Sequence, residues 1–182
     1  MMQSLSDNEV NNDNIETSRL YLRKITHNDI ESLYKIVKQN EVGMWLARGE
    51  GMSREETKNY VENIVSHWNL HGFGVWAVIH KETDKLIGHC GLRYIDDTED
   101  VEILYLINQQ YWGNGYATEA ANVAIGFAFK YLRIEKLFAR VRTRNERSMN
   151  VLEKLGFTFL INKDYNGRIL SYFELNSTRG YK

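Results

Sequence analysis

The sequence predicts a mixed α/β (α+β) fold: a central, mostly antiparallel sheet of about seven strands with one parallel pair, flanked by about four helices. Three observations lead there. Apolar patterns of period two and period 3.6 follow one another in the order β-α-α-β-β-β-α-β-α-β-β. The connections "KETDK" and "DDTE" are short and polar, as between antiparallel neighbours. The stretch "QQYWGNGYATEA" joins an extended segment to a long apolar helix and then to a further strand, a connection that pairs its two strands in parallel.

Each element has its own signal. Residues 17–24 ("TSRLYLRK") alternate apolar and polar and read as a strand. Asp29 can cap a helix whose apolar residues Ile30, Leu33, Tyr34 and Val37 share one face. Ser53 and Glu56 have capping-box spacing, and Val61, Ile64 and Trp68 continue a helical stripe to about His71. Strands are expected over 74–80, 86–94 and 100–107. A helix over about 116–132 carries Ala120, Ala124, Phe127 and Tyr131 on one face. Residues 136–142 set Leu137, Ala139 and Val141 opposite Phe138, Arg140 and Arg142. A short helix over 148–155 stops at Gly156, and strands over 157–161 and 168–175 flank the turn "DYNGR".

Composition narrows the function. A chain of 182 residues, 43% apolar, suits one domain over 15–182, behind a leader of residues 1–14 rich in Asn, Asp and Ser that reads as mobile. A net charge of −1 leaves no nucleic-acid footprint. No apolar run reaches membrane-span length, and no apolar signal block opens the chain. The single cysteine, Cys90, rules out an internal disulfide framework and suits the cytoplasm. There is no proline, so every turn relies on Gly, Asn or Asp.

A strand entering Gly113-Asn114-Gly115 and leaving as a helix is a recipe for an anion site. The first helical turn has N–H groups with no partner inside the helix, the helix dipole adds positive potential, and glycine lets the backbone come close. Three or four such charge-assisted bonds, roughly 1.5–3 kcal/mol each, hold a pyrophosphate without a lysine. The bland alternative is a tight turn that uses glycine for geometry alone. A P-loop would need Lys-Ser/Thr where Tyr116-Ala117 stands, and a dinucleotide fingerprint a small residue where Thr118 stands.

A second motif, "NERSMNVLEKLGF" (145–157), follows the next strand. With "QYWGNGYATEA" before it and "SRLYLRKITHNDIESLY" near the start, the chain resembles the GNAT superfamily of N-acetyltransferases, and within it the RimJ/RimL type. That family's Gln/Arg-x-x-Gly-x-Gly/Ala signature is matched by Gln110, Gly113 and Gly115. The resemblance implies an acetyl-CoA-dependent transferase that needs no metal. It implies that main-chain amides of Trp112, Gly113, Asn114, Gly115, Tyr116, Ala117 and Thr118 bind the pyrophosphate. Two parallel strands would splay apart so that the pantetheine arm pairs with backbone of Tyr105, Leu106 and Ile107. Asn145 and Ser148 match the second motif, with Leu152 and Lys154 in the stretch that flanks the cofactor.

For catalysis the resemblance points to Glu102 as base, against the alternative of a strand residue paired with an arginine. Many relatives have a tyrosine acid where this chain has Leu152, which leaves Ser148 as the donor to the departing sulfur, or simply as a helix cap. The need for a base depends on the acceptor. A lysine-like amine costs roughly 4.6 kcal/mol to deprotonate at pH 7, an α-amine about 1 kcal/mol. The glycine-rich aromatic stretch 40–52 reads as a substrate loop, with Trp45 and Arg48 touching the acceptor. The acceptor is expected to be a protein or peptide N-terminus or another amine-bearing small molecule (polyamine, aminoglycoside, amino acid), by attack in a ternary complex. The rivals are a CoA-binding module without turnover and a nucleotide-binding protein. The sequence does not choose between monomer and homodimer.

Other features read more plainly. Cys90 beside His89 fits a small buried residue better than a nucleophile, because strand neighbours point to opposite faces. His67 and His71 lie one turn apart on a helix with no third ligand at metal spacing. The acidic run Asp96, Asp97, Glu99 and Asp100 reads as a solvated hairpin turn.

Overall fold

In a computed structural model, residues 14–177 are described, and their eight strands form one sheet in the order β1-β2-β3-β4-β5-β6-β8-β7. The strands are β1 (Asn14–Glu16), β2 (Leu20–Lys24), β3 (Val75–His80), β4 (Lys85–Tyr94), β5 (Val101–Ile107), β6 (Lys136–Arg142), β7 (Thr158–Tyr165) and β8 (Arg168–Asn176). The helices are α1 (Ile30–Val37), α2 (Asn40–Gly43), α3 (Arg54–His71), α4 (Tyr116–Lys130) and α5 (Glu146–Lys154). Every strand pair is antiparallel except β5 with β6, which are parallel as the strand–helix–strand connection requires. Residues 1–13 of the expected leader lie outside the described residues, and Asn14 begins β1.

The extra strand has a local cause. Thr17 turns the chain, its N–H donating to the Leu20 carbonyl at 2.9 Å. The expected strand 17–24 is thereby cut to β2, and residues 14–16 fold back on it as an edge. At Ser53 the capping box forms as spaced: Glu56 N–H donates to Ser53 Oγ and Ser53 N–H to Glu56 Oε2. Asp29 does not cap α1. Its carboxylate accepts from Thr26 N–H and takes both terminal nitrogens of Arg23, at 2.7 and 2.8 Å. Burial works against that charge, but these bonds win and hold the Asp29 carboxyl below its ordinary range. The last hairpin runs longer than expected because Asn166 and Gly167 both take positive φ, a two-residue turn that matches strand twist.

The faces of the sheet are set by its registers. Cys90 pairs with Tyr105 and Trp76, and that face receives α4 and α5: Phe127 meets Trp76 edge-on and Tyr105 bonds to Ser148. On the opposite face His89, Leu106, Leu104 and Glu102 are in line, and α3 reaches that face where Tyr60 meets His89, with α1 packed beside α3. Cys90 is fully buried, and burial pushes its thiol pKa up, so it is packing and not nucleophile. His67 and His71 stack among Phe73 and Tyr94, and no cluster of metal-ligating side chains occurs among the described residues. No described helix is long and apolar enough to cross a membrane.

Candidate active site

β5 and β6 pair only at Val101–Leu137 and Glu102–Phe138; beyond that they diverge, and a cleft of about 420 Å³ opens between them. Asn108 N–H donates to the Ile87 carbonyl on β4, so by alternation Leu106 and Leu104 also turn their polar backbone groups to β4. Tyr105 and Ile103 turn theirs into the gap. Of the three residues expected to offer backbone there, Tyr105 does so. Leu106 does not, and lines the cleft with its side chain instead. The Ile107 carbonyl already accepts the indole N–H of Trp112 at 2.7 Å.

The glycine loop opens the far end of the cleft. Gly113 and Gly115 have φ of +77° and +79°, the left-handed region that glycine enters without penalty. No heavy atom lies within 4 Å of where a Gly113 Cβ would stand. Among the described residues, none of the six N–H groups from Gly113 to Thr118 has a hydrogen-bond partner. The run begins one residue later than expected, because Trp112 N–H is spent on the Gln109 carbonyl. Six unpaired amides at the start of a 15-residue helix, beside open space, fit a pyrophosphate. The loop is braced from outside. Arg19 donates to the Asn114 carbonyl at 2.9 Å and lies over the Tyr116 ring, while Asn114 Nδ2 ties Tyr111 and Trp112 carbonyls. Glu119, in the first turn of α4, is partly desolvated, yet hydrogen bonds from Thr17, Arg19 and Ser18 hold its pKa down. Gln110 is exposed on the short turn before the loop, away from the cleft.

From α5, Asn145, Arg147, Ser148 and Val151 face the cleft. Asn145 is the helix cap, accepting Ser148 N–H at 3.2 Å. Ser148 is therefore no cap; its Oγ lies 2.9 Å from the Tyr105 hydroxyl, which also donates to the Ser148 carbonyl at 2.8 Å. Burial pushes the Tyr105 pKa up, so the phenol keeps its proton. Leu152 is fully buried in the core and Lys154 is exposed at the helix end, so neither reaches the cleft; helical periodicity puts Val151 there instead.

The opposite end of the cleft is made of side chains. Glu102, 2% exposed, holds Arg140 with both oxygens (2.7 and 2.8 Å) and Arg93 with Oε1 (2.8 Å). Its hydrogen bond raises the Arg140 pKa further. Arg140 also reaches Asp96, which Tyr165 OH bonds as well, so that member of the acidic turn is structural. Trp45 lines the cleft. Arg48 does not: it is exposed and pairs with Glu50 and Glu56. Arg142 holds the 40–52 loop in its place, donating to the Leu46 carbonyl at 2.9 Å and to that of Ala47 at 3.1 Å. Deeper in, Tyr60 OH meets His89 Nε2 at 3.0 Å, while His89 Nδ1 has no partner among the described residues. Burial, and then the charge of Arg93, lower the His89 pKa to about 3, so its ring is neutral.

Sequence comparison agrees with this geometry. Residues 19–158 match the model of the acetyltransferase (GNAT) domain. The uncharacterized N-acetyltransferase YoaA of Bacillus subtilis is 28% identical over 79% of this chain and 81% of its own. Spermidine N(1)-acetyltransferase of Escherichia coli is 34% identical over 37% of this chain and 41% of its own. The crystal structure of RimL, a ribosomal-protein alpha-N-acetyltransferase in complex with coenzyme A, superposes with a TM-score of 0.74 at 18% identity, covering 90% of this chain and 97% of that one. The splayed parallel pair, the unpaired amide row and the domain match converge: the chain belongs to the GNAT family of acetyltransferases.

Proposed function

We propose that the protein moves an acetyl group from acetyl-CoA to an α-amino group, by direct attack of the amine in a ternary complex. One observation carries the coenzyme half of this reading: the six N–H groups from Gly113 to Thr118 that nothing among the described residues satisfies. They hold the pyrophosphate, and the divergence of β5 from β6 leaves backbone of Tyr105 to pair with the pantetheine arm. The bound coenzyme supplies an acetyl thioester as the electrophile. The Tyr105 N–H, aimed into the gap, polarises its carbonyl. The Ser148 hydroxyl, held beside that of Tyr105 at the same wall, donates to the departing thiolate. That sulfur, with an ordinary thiol pKa of about 8.5, needs only modest help.

The acceptor half follows from what Glu102 is doing. Both of its oxygens hold guanidinium groups, so it positions Arg140 and Arg93 and is poorly placed to take a proton. Without a free carboxylate base, an amine that is already close to neutral is favoured. An α-amine costs about 1 kcal/mol to deprotonate at pH 7, against roughly 4.6 kcal/mol for a lysine-like amine, and water suffices for the former. A protein or peptide N-terminus, or the α-amine of a small molecule, fits. The test is thiol release from acetyl-CoA with matched peptides whose only free amine is an α-amine or a lysine side chain. Release with the α-amine peptide and at least tenfold less with the other is expected. Equal use of both, or release from neither while acetyl-CoA binds, would overturn this reading.

A further inference from the structure

Charge at the acceptor end of the cleft is out of balance. Five guanidinium groups line the cleft, those of Arg93, Arg140, Arg142, Arg147 and Arg168, against one carboxylate, Glu102. Arg147 lies over the Trp112 ring on the coenzyme side, and Arg93 and Arg140 are the two that Glu102 holds. Arg142 and Arg168 remain. Among the described residues neither has a carboxylate partner, and no side-chain hydrogen bond involves Arg168.

These two arginines are neighbours. Arg142 pairs with Leu170 across β6 and β8, and Arg168 lies two residues before Leu170 on the same face. Burial, and then the charge of Arg168, push the Arg142 pKa down. The Arg142 guanidinium is anchored by the Leu46 and Ala47 carbonyls, which fix its direction without cancelling its charge. Partial desolvation of like charges is costly and is offset when a ligand brings the counter-charge. Arginine forks suit a carboxylate in particular, because two parallel N–H groups match its two oxygens.

We propose that the acceptor is an amine whose own molecule carries a carboxylate, and that Arg142 and Arg168 receive that carboxylate while the amine faces the thioester. This rests on the acetyl-transfer reading and adds the chemical class of its acceptor. The same charges work against a polyamine, whose second ammonium would meet two uncompensated guanidinium groups.

Four probes test it: peptides beginning Ser-Glu or Ser-Gln and otherwise identical, free glutamate, and spermidine. Thiol release from acetyl-CoA is followed with each, for the wild type, Arg168→Gln and Arg168→Lys. Binding of the two peptides to the CoA-saturated protein is measured by calorimetry alongside. The Ser-Glu peptide should exceed the Ser-Gln peptide in kcat/KM by about ten- to hundredfold, as expected for one charge-assisted contact. Arg168→Gln should remove that preference without changing KM for acetyl-CoA, and Arg168→Lys should keep part of it. Free glutamate surpassing both peptides would support the proposal and place the carboxylate on a small molecule. Spermidine used as well as the best carboxylate-bearing probe, the Ser-Gln peptide used as well as Ser-Glu with free glutamate no better than either, or a preference that persists in Arg168→Gln, would overturn it. Selective binding of the Ser-Glu peptide with no thiol released from any amine would support the arginine site and overturn acetyl transfer instead.

Discussion

The two ends of the cleft are made of different material. At the coenzyme end the polar groups are main-chain N–H, placed by two glycines in left-handed conformation and the first turn of α4. At the acceptor end they are side chains from β4, β5, β6 and β8, converging on Glu102 and on the loop after α2. A site made of backbone tolerates exchange of most side chains around it. A site made of side chains changes its ligand with each substitution. One protein thus combines a fixed end, suited to a common coenzyme, with an adjustable end suited to a particular acceptor.

That contrast can be put under strain by substitution. The largest effect is expected at the acceptor end, from Arg140→Leu, which leaves the buried Glu102 with Arg93 alone. Unmasking a buried carboxylate in this way costs about 3–5 kcal/mol, read as a lower denaturation midpoint, and the double variant with Glu102→Leu should recover most of the loss. If Arg140→Leu leaves stability intact, the acceptor end is not the interlocked array described above.

Next comes Gly115→Val, which puts a β-branched residue at φ +79°. Affinity for CoA should fall about a hundredfold, near 2.7 kcal/mol by calorimetry, whereas Arg142→Gln should leave it unchanged. Reversal of that pattern would mean that side chains, not amides, hold the coenzyme.

A smaller effect is set by pH. His89 has its folded pKa depressed to about 3, below an unfolded value of about 6.5. Its contribution is therefore fully present above pH 6.5 and is lost as pH falls toward 3, because the unfolded chain takes up the proton first. Between pH 7 and pH 5 the loss is about 2 kcal/mol, and His89→Gln should flatten the stability profile by that amount in chemical denaturation at the two pH values. A parallel profile for the variant would show that this ring is not buried neutral.

What could be read from the sequence divides along the same line. The glycine loop was legible because its chemistry is local: Gly113 and Gly115 carry their conformational freedom wherever they are placed. The capping box at Ser53 and the stop at Gly156 were legible for the same reason. The acceptor end was not, since its partners are far apart in the chain: Glu102 and Arg140 are separated by 38 residues, Leu46 and Arg142 by 96. Arg48 looked available in sequence but had acids close by, at Glu50 and Glu56, and these took it. The alternation of Arg140 and Arg142 against Leu137, Ala139 and Val141 did signal a polar face on β6, without saying what it would meet. Leu152 was misplaced by transferring a position from the family, where the helical phase of α5 turns Val151 and not Leu152 outward.

The brevity of the β5–β6 junction has a dynamic consequence. Among the described residues two register pairs are the backbone rungs between the first five strands and the last three, and the grip of Glu102 on Arg140 continues that short seam with side chains. A molecule lying along the open part of that seam replaces missing rungs, and saturation at about a hundred times its dissociation constant adds about 2.7 kcal/mol to the folded state. The Tyr105 amide proton, which faces the gap on β5, would then exchange with solvent readily without coenzyme and slow when it binds.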